Sequence, residues 1–228
     1  MSEPKDKSMS WNPDEHYKST AVAADYDKNR FSSIPGQVFN FLEKRLVVKC
    51  FSLLPEGGTI ADAPCGTGRL AEALLDAGYR VHGFDISQAM LGVAQQRLAS
   101  HGGNFTCEVA DLKEHPPSGP ICDGALCARV LMHFPLEQQV QFLAGVAGLS
   151  RSVVVINQSL DSGYQRFRRR LKRWMGNQAS ARFPITGENI RLLLKGAGLR
   201  EVRRYRLLPF ISEAVYIVAE KVDVPDRG

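Results

Sequence analysis

At 228 residues, with 44% hydrophobic and 23% charged side chains, the chain has the size and balance of one globular domain. Its longest purely aliphatic run, Val153 to Ile156, is too short to span a bilayer, and the N-terminal MSEPKDKSMSW lacks the apolar stretch a signal peptide needs, so a cytoplasmic protein is expected. The net charge of +5 is local: RFRRRLKR at 166–173 holds six cations and no acid, and outside it 23 basic residues face 24 acidic ones.

Residues 1–13 are polar and contain Pro4 and Pro13, which predicts a disordered N-terminus. Residues 14–32 suit one short helix, with Tyr17, Tyr26 and Phe31 interspersed. A helix is predicted over 36–54, with Val38, Phe41, Leu42, Leu46, Val48 and Leu53 as candidates for its buried side; Pro55, Gly57 and Gly58 end it. An alternation follows. Strands are predicted at 59–63, 80–84, 104–109, 121–127 and 152–158, and helices between them at 68–77, 87–99 and 135–148. Gly78 is placed to end the first of these helices, Ser87 to cap the second and Pro135 to sit in the first turn of the third. Such alternation argues for a parallel sheet covered on both faces. Two further strands, 200–208 and 213–221, lie so close together that they must pair antiparallel.

The expected fold is therefore α/β: a doubly wound, mostly parallel, seven-stranded sheet with an antiparallel C-terminal strand pair. One domain spans 14–228, with N-terminal cap helices (14–54) and a basic amphipathic insertion (160–180). The arginines at 200, 203, 204 and 206 read as an exposed sheet edge. The five cysteines are odd in number and form no C-x-x-C pair, so they read as reduced, mostly buried thiols, and no metal site is implied.

In open sheets of this kind ligands bind beyond the carboxyl ends of the strands. Gly66, Gly68 and Ala71 fit the spacing G-x-G-x-x-A, which several nucleotide sites share. Asp85, about 20 residues on, can accept from ribose hydroxyls. Asp62 discriminates among the nucleotides. A carboxylate just before the glycine turn repels a pyrophosphate but attracts a cationic ligand, and S-adenosylmethionine carries an ammonium and a sulfonium. Asp111, after the third strand, can accept from an adenine amino group.

IADAPCGTG, VHGFDIS, EVADL and CDGALCARVLMHFP, in that order and spacing, resemble the class I S-adenosylmethionine-dependent methyltransferases with their Rossmann-like fold. The likeness is strongest to the branch that includes ubiquinone- and menaquinone-pathway enzymes. It covers roughly 55–160; Pro64 stands where the family usually has Gly. The resemblance implies S-adenosyl-L-methionine as cofactor and S-adenosyl-L-homocysteine as product. It implies that Asp62, Ala63, Gly66 and Gly68 line the methionine portion and that Asp85 holds the ribose. Ile86 then lies against the adenine, Asp111 and Leu112 meet its edge, and Cys127 and Ala128 lie under the sulfonium. Arg69 either faces water or meets the ligand.

Methyl displacement from a sulfonium needs mainly alignment, and a general base only if the acceptor must lose a proton. His133 is the candidate base; the alternative is a structural or substrate-positioning role. The resemblance places the N-terminal segment over the active site. Tyr17, Tyr26 and Arg30 are accordingly substrate-binding candidates, with anchoring by packing as the other reading of Tyr26 and Arg30. The stretch 163–176 sets Tyr164, Phe167, Leu171, Trp174 and Met175 on one helical face. It reads as a lid helix, as a peripheral contact with an anionic membrane, or as a grip on an anionic acceptor. The expected function is methyl transfer to a small acceptor, hydrophobic and lipid-like ones included, on oxygen or nitrogen. The alternative is an RNA or protein methyltransferase using the arginine-rich helix; it is disfavoured by the lack of an Asn/Asp-Pro-Pro-Tyr/Phe-type motif and of a second Pro-Cys dipeptide at the fourth-strand end.

Overall fold

The structure, a computed structural model, describes residues 32–161, 183–208 and 212–222, together with positions 163, 166 and 170. The expectations for 1–31, including Tyr17, Tyr26 and Arg30, and those for most of the insertion 160–180 lie outside the described residues.

The strands are β1 (Thr59–Asp62), β2 (Arg80–Asp85), β3 (Phe105–Val109), β4 (Cys122–Cys127), β5 (Ser150–Ser159), β6 (Leu199–Arg206) and β7 (Ala214–Lys221). They form one sheet in the order β3-β2-β1-β4-β5-β7-β6. The pairs β1–β2, β1–β4, β2–β3 and β4–β5 are parallel, whereas β5–β7 and β6–β7 are antiparallel. This is the doubly wound sheet with a closing antiparallel pair that the alternation predicts. The winding reverses between β1 and β4, so a crevice opens where their carboxyl ends meet.

Helices cover both faces: α1 (Ile34–Cys50), α2 (Arg69–Asp76), α3 (Gln88–Leu98), α4 (Leu136–Leu149) and α5 (Gly187–Gly196). Alternate residues of each central strand serve opposite faces, as a pleated strand requires. Ile60, Val153 and Val155 pack with Val47, Phe51 and Leu74 of the α1–α2 side. Ala61, Val154 and Ile156 pack with Leu143 of α4 and Ile190 and Leu193 of α5.

The predicted caps behave as their chemistry dictates. Ser87 accepts from the Met90 amide at the start of α3, and Gly78, with φ +88°, follows the end of α2 in the left-handed conformation. Pro135 is the residue that caps α4 rather than part of its first turn. The sequence reading assigns no element to 187–196. There Thr186 accepts from the Asn189 amide, and Ile190, Leu193 and Leu194 are buried on one side of α5.

The buried side of α1 departs from expectation. Val38 and Phe41 are exposed, as is Leu53 beyond the helix, while Glu43, Val47 and Cys50 face the sheet. The spacing is helical, but its most buried polar member is an acid. Glu43 holds a core position because it is met there by Arg69, Arg129 and the Tyr216 hydroxyl.

The four arginines of β6 project from an edge strand and are exposed or only partly covered, with Arg204 paired to Glu201 and Arg200 to Glu220. All five cysteines are unpaired thiols, and only Cys107 is not fully buried. Among the described residues no helix is long and apolar enough to cross a membrane.

α4 is fitted closely against the loop after β3: a Cβ at Gly145 would fall against the backbone carbonyl oxygen of Leu112. Gly145→Ala is therefore expected to destabilise the protein by about 1–3 kcal/mol, measured by urea unfolding. The same change should displace the loop that carries Asp111 and Leu112.

Candidate active site

The chain leaves β1 at Asp62, turns through residues 63–68 and enters α2 at Arg69. The turn is tied to both neighbouring strands: the Ala63 amide donates to the Leu126 carbonyl at 2.9 Å and the Cys65 amide to the Phe84 carbonyl at 2.8 Å. Gly66 and Gly68 have φ of +54° and +75°, values that side chains resist. A Cβ at Gly68 would also lie 2.8 Å from Leu98 Cδ1, so α3 packs directly against the turn. From α3, the Arg97 guanidinium donates to both the carbonyl and the hydroxyl oxygen of Thr67 at 3.1 Å.

Asp85, at the end of β2, closes the turn from below. Its Oδ2 accepts from the Gly66 amide and its Oδ1 from the Ser87 amide, each at 2.9 Å. Burial pushes its pKa up although backbone amides of Ser87, Gly66 and Ile86 oppose the shift. Asp111, after β3, accepts on Oδ1 from the Lys113 and Glu114 amides and so shapes its own loop.

Asp62 is different. It is 1% exposed, and its Oδ2 has no hydrogen-bond partner among the described residues. Burial raises its pKa to about 8; the Arg69 charge opposes that rise and the Asp85 charge adds to it. A buried carboxylate oxygen without a donor is costly unless a cation or donor arrives. The site thus suits a ligand that brings positive charge to the end of β1, and the donor set fits an ammonium there.

A cleft opens over these strand ends. Asp62, Pro64, Cys65, Gly66, Asp85, Ile86, Asp111, Leu112, Ala128 and His133 all line it. Phe134 and Phe142, with ring centroids 5.8 Å apart, give it an aromatic wall beside Leu112. Seven of the ten predicted cofactor residues therefore come together. Ala63, Gly68 and Cys127 do not line the cleft. Ala63 and Cys127 are fully buried, and burial drives the Cys127 thiol pKa well up. Gly68 acts through its backbone conformation. His133 ends the short 3-10 turn Leu131–His133, half-buried, with its amide donating to Val130.

Arg69 does not face water. It is 8% exposed, and its guanidinium donates to Glu43 at 2.7 Å and to the Asn40 side chain at 2.5 Å. Arg129, unremarked in the sequence reading, also lines the cleft, with φ +64° and both Glu43 oxygens within 2.8 Å. Its place directly after Ala128 in the fourth motif was the available signal. The signal for Met90, Lys113 and Phe142 is weaker, because each depends on how α3, the β3 loop and α4 pack.

Fold and site together describe a doubly wound domain whose glycine turn opens on a buried carboxyl group at the end of β1. Residues 60–152 match the family described as "Methyltransferase domain". The chain is 33% identical over 104 residues to the magnesium-protoporphyrin O-methyltransferase of Synechocystis, covering 44% of each chain. It is 31% identical over 80 residues to the ubiquinone biosynthesis O-methyltransferase of Azoarcus, covering 35% of this chain and 34% of that one. These matches span less than half the length of the curated relatives. The crystal structure of the Synechocystis magnesium protoporphyrin IX methyltransferase with bound SAH superposes with a TM-score of 0.71 at 21% identity, over 91% of this chain and 97% of that one. Human N-acetylserotonin methyltransferase in complex with SAM gives 0.64 at 19% identity, over 90% and 57%. At such identities the structures speak for the fold. Residues 60–152 thus carry a methyltransferase domain, on a fold shared with S-adenosylmethionine-dependent methyltransferases.

The raised pKa of Asp62 makes a stability prediction. The carboxyl is neutral in the folded protein up to about pH 8 but ionises in the unfolded chain above about pH 4. Stability is therefore lost as pH rises between those values. Asp62→Asn should leave the ligand-free melting temperature little changed near pH 4 and raise it progressively toward pH 8, read by thermal unfolding across that range.

Proposed function

We propose that the protein transfers the methyl group of S-adenosylmethionine to a small-molecule acceptor on oxygen or nitrogen, apolar and lipid-like acceptors included, and releases S-adenosylhomocysteine. The observation that carries this reading is the buried, partnerless Asp62 oxygen at the end of β1. The relatives support it: magnesium-protoporphyrin and ubiquinone-biosynthesis O-methyltransferases both act, by name, on small molecules, and they give no support to an RNA or protein acceptor.

Asp62 and the Gly66 turn would hold the methionine portion, Asp85 the ribose, and Ile86, Asp111 and Leu112 the adenine. When bound, the cofactor supplies a methyl group already activated by its sulfonium. The chain's own task is then to orient the acceptor and keep water out of an apolar cleft, with Ala128 in its wall near the transfer site. His133 stands on the same wall, either to take a proton from the acceptor or to position it. A cytoplasmic protein that touches anionic membrane through 163–176 belongs to the same reading. Co-sedimentation with anionic vesicles at low salt, lost at high salt, tests that contact.

Incubation with methyl-labelled cofactor and cell extract, followed by fractionation, should place label among small molecules or lipids; label in RNA or protein overturns the acceptor class. Cofactor binding at pH 7 should release close to one proton, because Asp62 must ionise. Affinity should rise by up to about tenfold per pH unit from pH 6 toward 7.5, as measured by calorimetry in buffers of different ionisation heat. His133→Ala should lower turnover by about 10²–10⁴-fold with cofactor affinity kept if the imidazole is the base; unchanged turnover leaves it no proton-transfer role.

A further inference from the structure

Two arginines line a cleft built for a cation. Arg69 follows the glycine turn by one residue, and Arg129 follows β4 by two; both are lining residues alongside Asp62. Left uncompensated, two guanidiniums on that wall oppose a cationic ligand. Glu43, which does not line the cleft, answers both. Its Oε2 accepts from Arg69 and Arg129 at 2.7 Å each, and its Oε1 from Arg129 at 2.8 Å and from the Tyr216 hydroxyl at 2.7 Å. The acid is 0% exposed and is carried by α1, while its partners come from α2, the β4 loop and β7. The Phe39 ring, also on α1, lies 5.4 Å beneath the Arg129 guanidinium and turns it the same way.

We propose that Glu43 is a positioning residue that draws the Arg69 and Arg129 guanidiniums back toward α1 and cancels their field, so that a cationic methyl donor is accepted next to them. The inference rests on the methyl-transfer reading above. Burial alone works against charge on Glu43, but Arg129 and Arg69, with hydrogen bonds from Arg129 and Tyr216, outweigh it and hold its pKa below the usual value. The acid is thus ionised at neutral pH. The reach of these charges is visible at Asp62, where Arg69 already opposes the effect of burial. Helix α1, far from being a passive cover, sets the electrostatic sign of the cleft.

The test compares two ligands that differ by one charge. S-adenosylmethionine carries the sulfonium and S-adenosylhomocysteine does not, while both carry the ammonium that meets Asp62. Any change in Asp62 ionisation affects both alike and cancels in the ratio of their dissociation constants. Glu43→Gln keeps shape and removes charge; a unit charge at this range shifts binding on the order of tenfold. Glu43→Gln should weaken S-adenosylmethionine relative to S-adenosylhomocysteine by about that factor. Arg129→Gln should move the ratio the other way, and Tyr216→Phe, which leaves the charges in place, should not move it. Equal weakening of both ligands in Glu43→Gln means a structural role only and overturns the proposal. If Glu43→Gln does not fold, Arg129→Gln decides, and a ratio unmoved there also overturns it. Wild-type protein that binds neither ligand removes the methyl-transfer reading and this inference together, whereas wild-type binding with an unmoved ratio removes this inference alone.

Discussion

A carboxyl group taken out of water at the end of the first strand constrains everything around it. The backbone of β1 points Asp62 into the crevice where the sheet reverses its winding, and the strands on either side exclude solvent from it. The turn that follows gives Asp62 Oδ2 no donor. The protein tolerates this arrangement because the surrounding turn is over-determined: strand carbonyls, Asp85 and Arg97 each bind a different part of it. Discomfort at one oxygen is maintained by satisfaction at its neighbours, as is common where a ligand completes a site.

The second buried acid has the opposite character. Glu43 is saturated, with every oxygen engaged, and its four-way contact knits α1 to α2, to the β4 loop and to β7. Breaking such a buried arrangement on one side leaves unpaired charge in the core, which is strongly destabilising. One acid keeps an oxygen without a donor, and the other already holds two cations.

Most of the fold was legible because period and punctuation agree. The strand segments are short and set off by glycine, proline or acid, and the helices after β1 and β2 meet Gly78 and Ser87 at the expected ends. The site was legible where acids mark the strand ends: Asp62 and Asp85 close β1 and β2, Asp111 follows β3, and all three line the cleft. What was hidden depends on contacts between distant segments. Glu43 is explained only once Arg69, Arg129 and Tyr216 are brought to it; of the predicted buried side, Leu46 and Val48 do pack on the core, while Val38 and Phe41 do not. Gly187–Gly196 is half polar, and its short buried stripe of Ile190, Leu193 and Leu194 becomes a helix signal only once α4 supplies a surface to pack on.

Among the described residues, the outermost strand, β6, ends the sheet with one flank of its backbone unpaired. An open flank of that kind is a template on which another polypeptide can add itself, chain upon chain. Arg203 and Arg206 stand exposed on that border, beside the Arg200–Glu220 and Arg204–Glu201 pairs. A second molecule arriving with the same strand would bring its own arginines against these. Mutual repulsion thus guards the border at no cost to the buried side, where Leu199 anchors the strand.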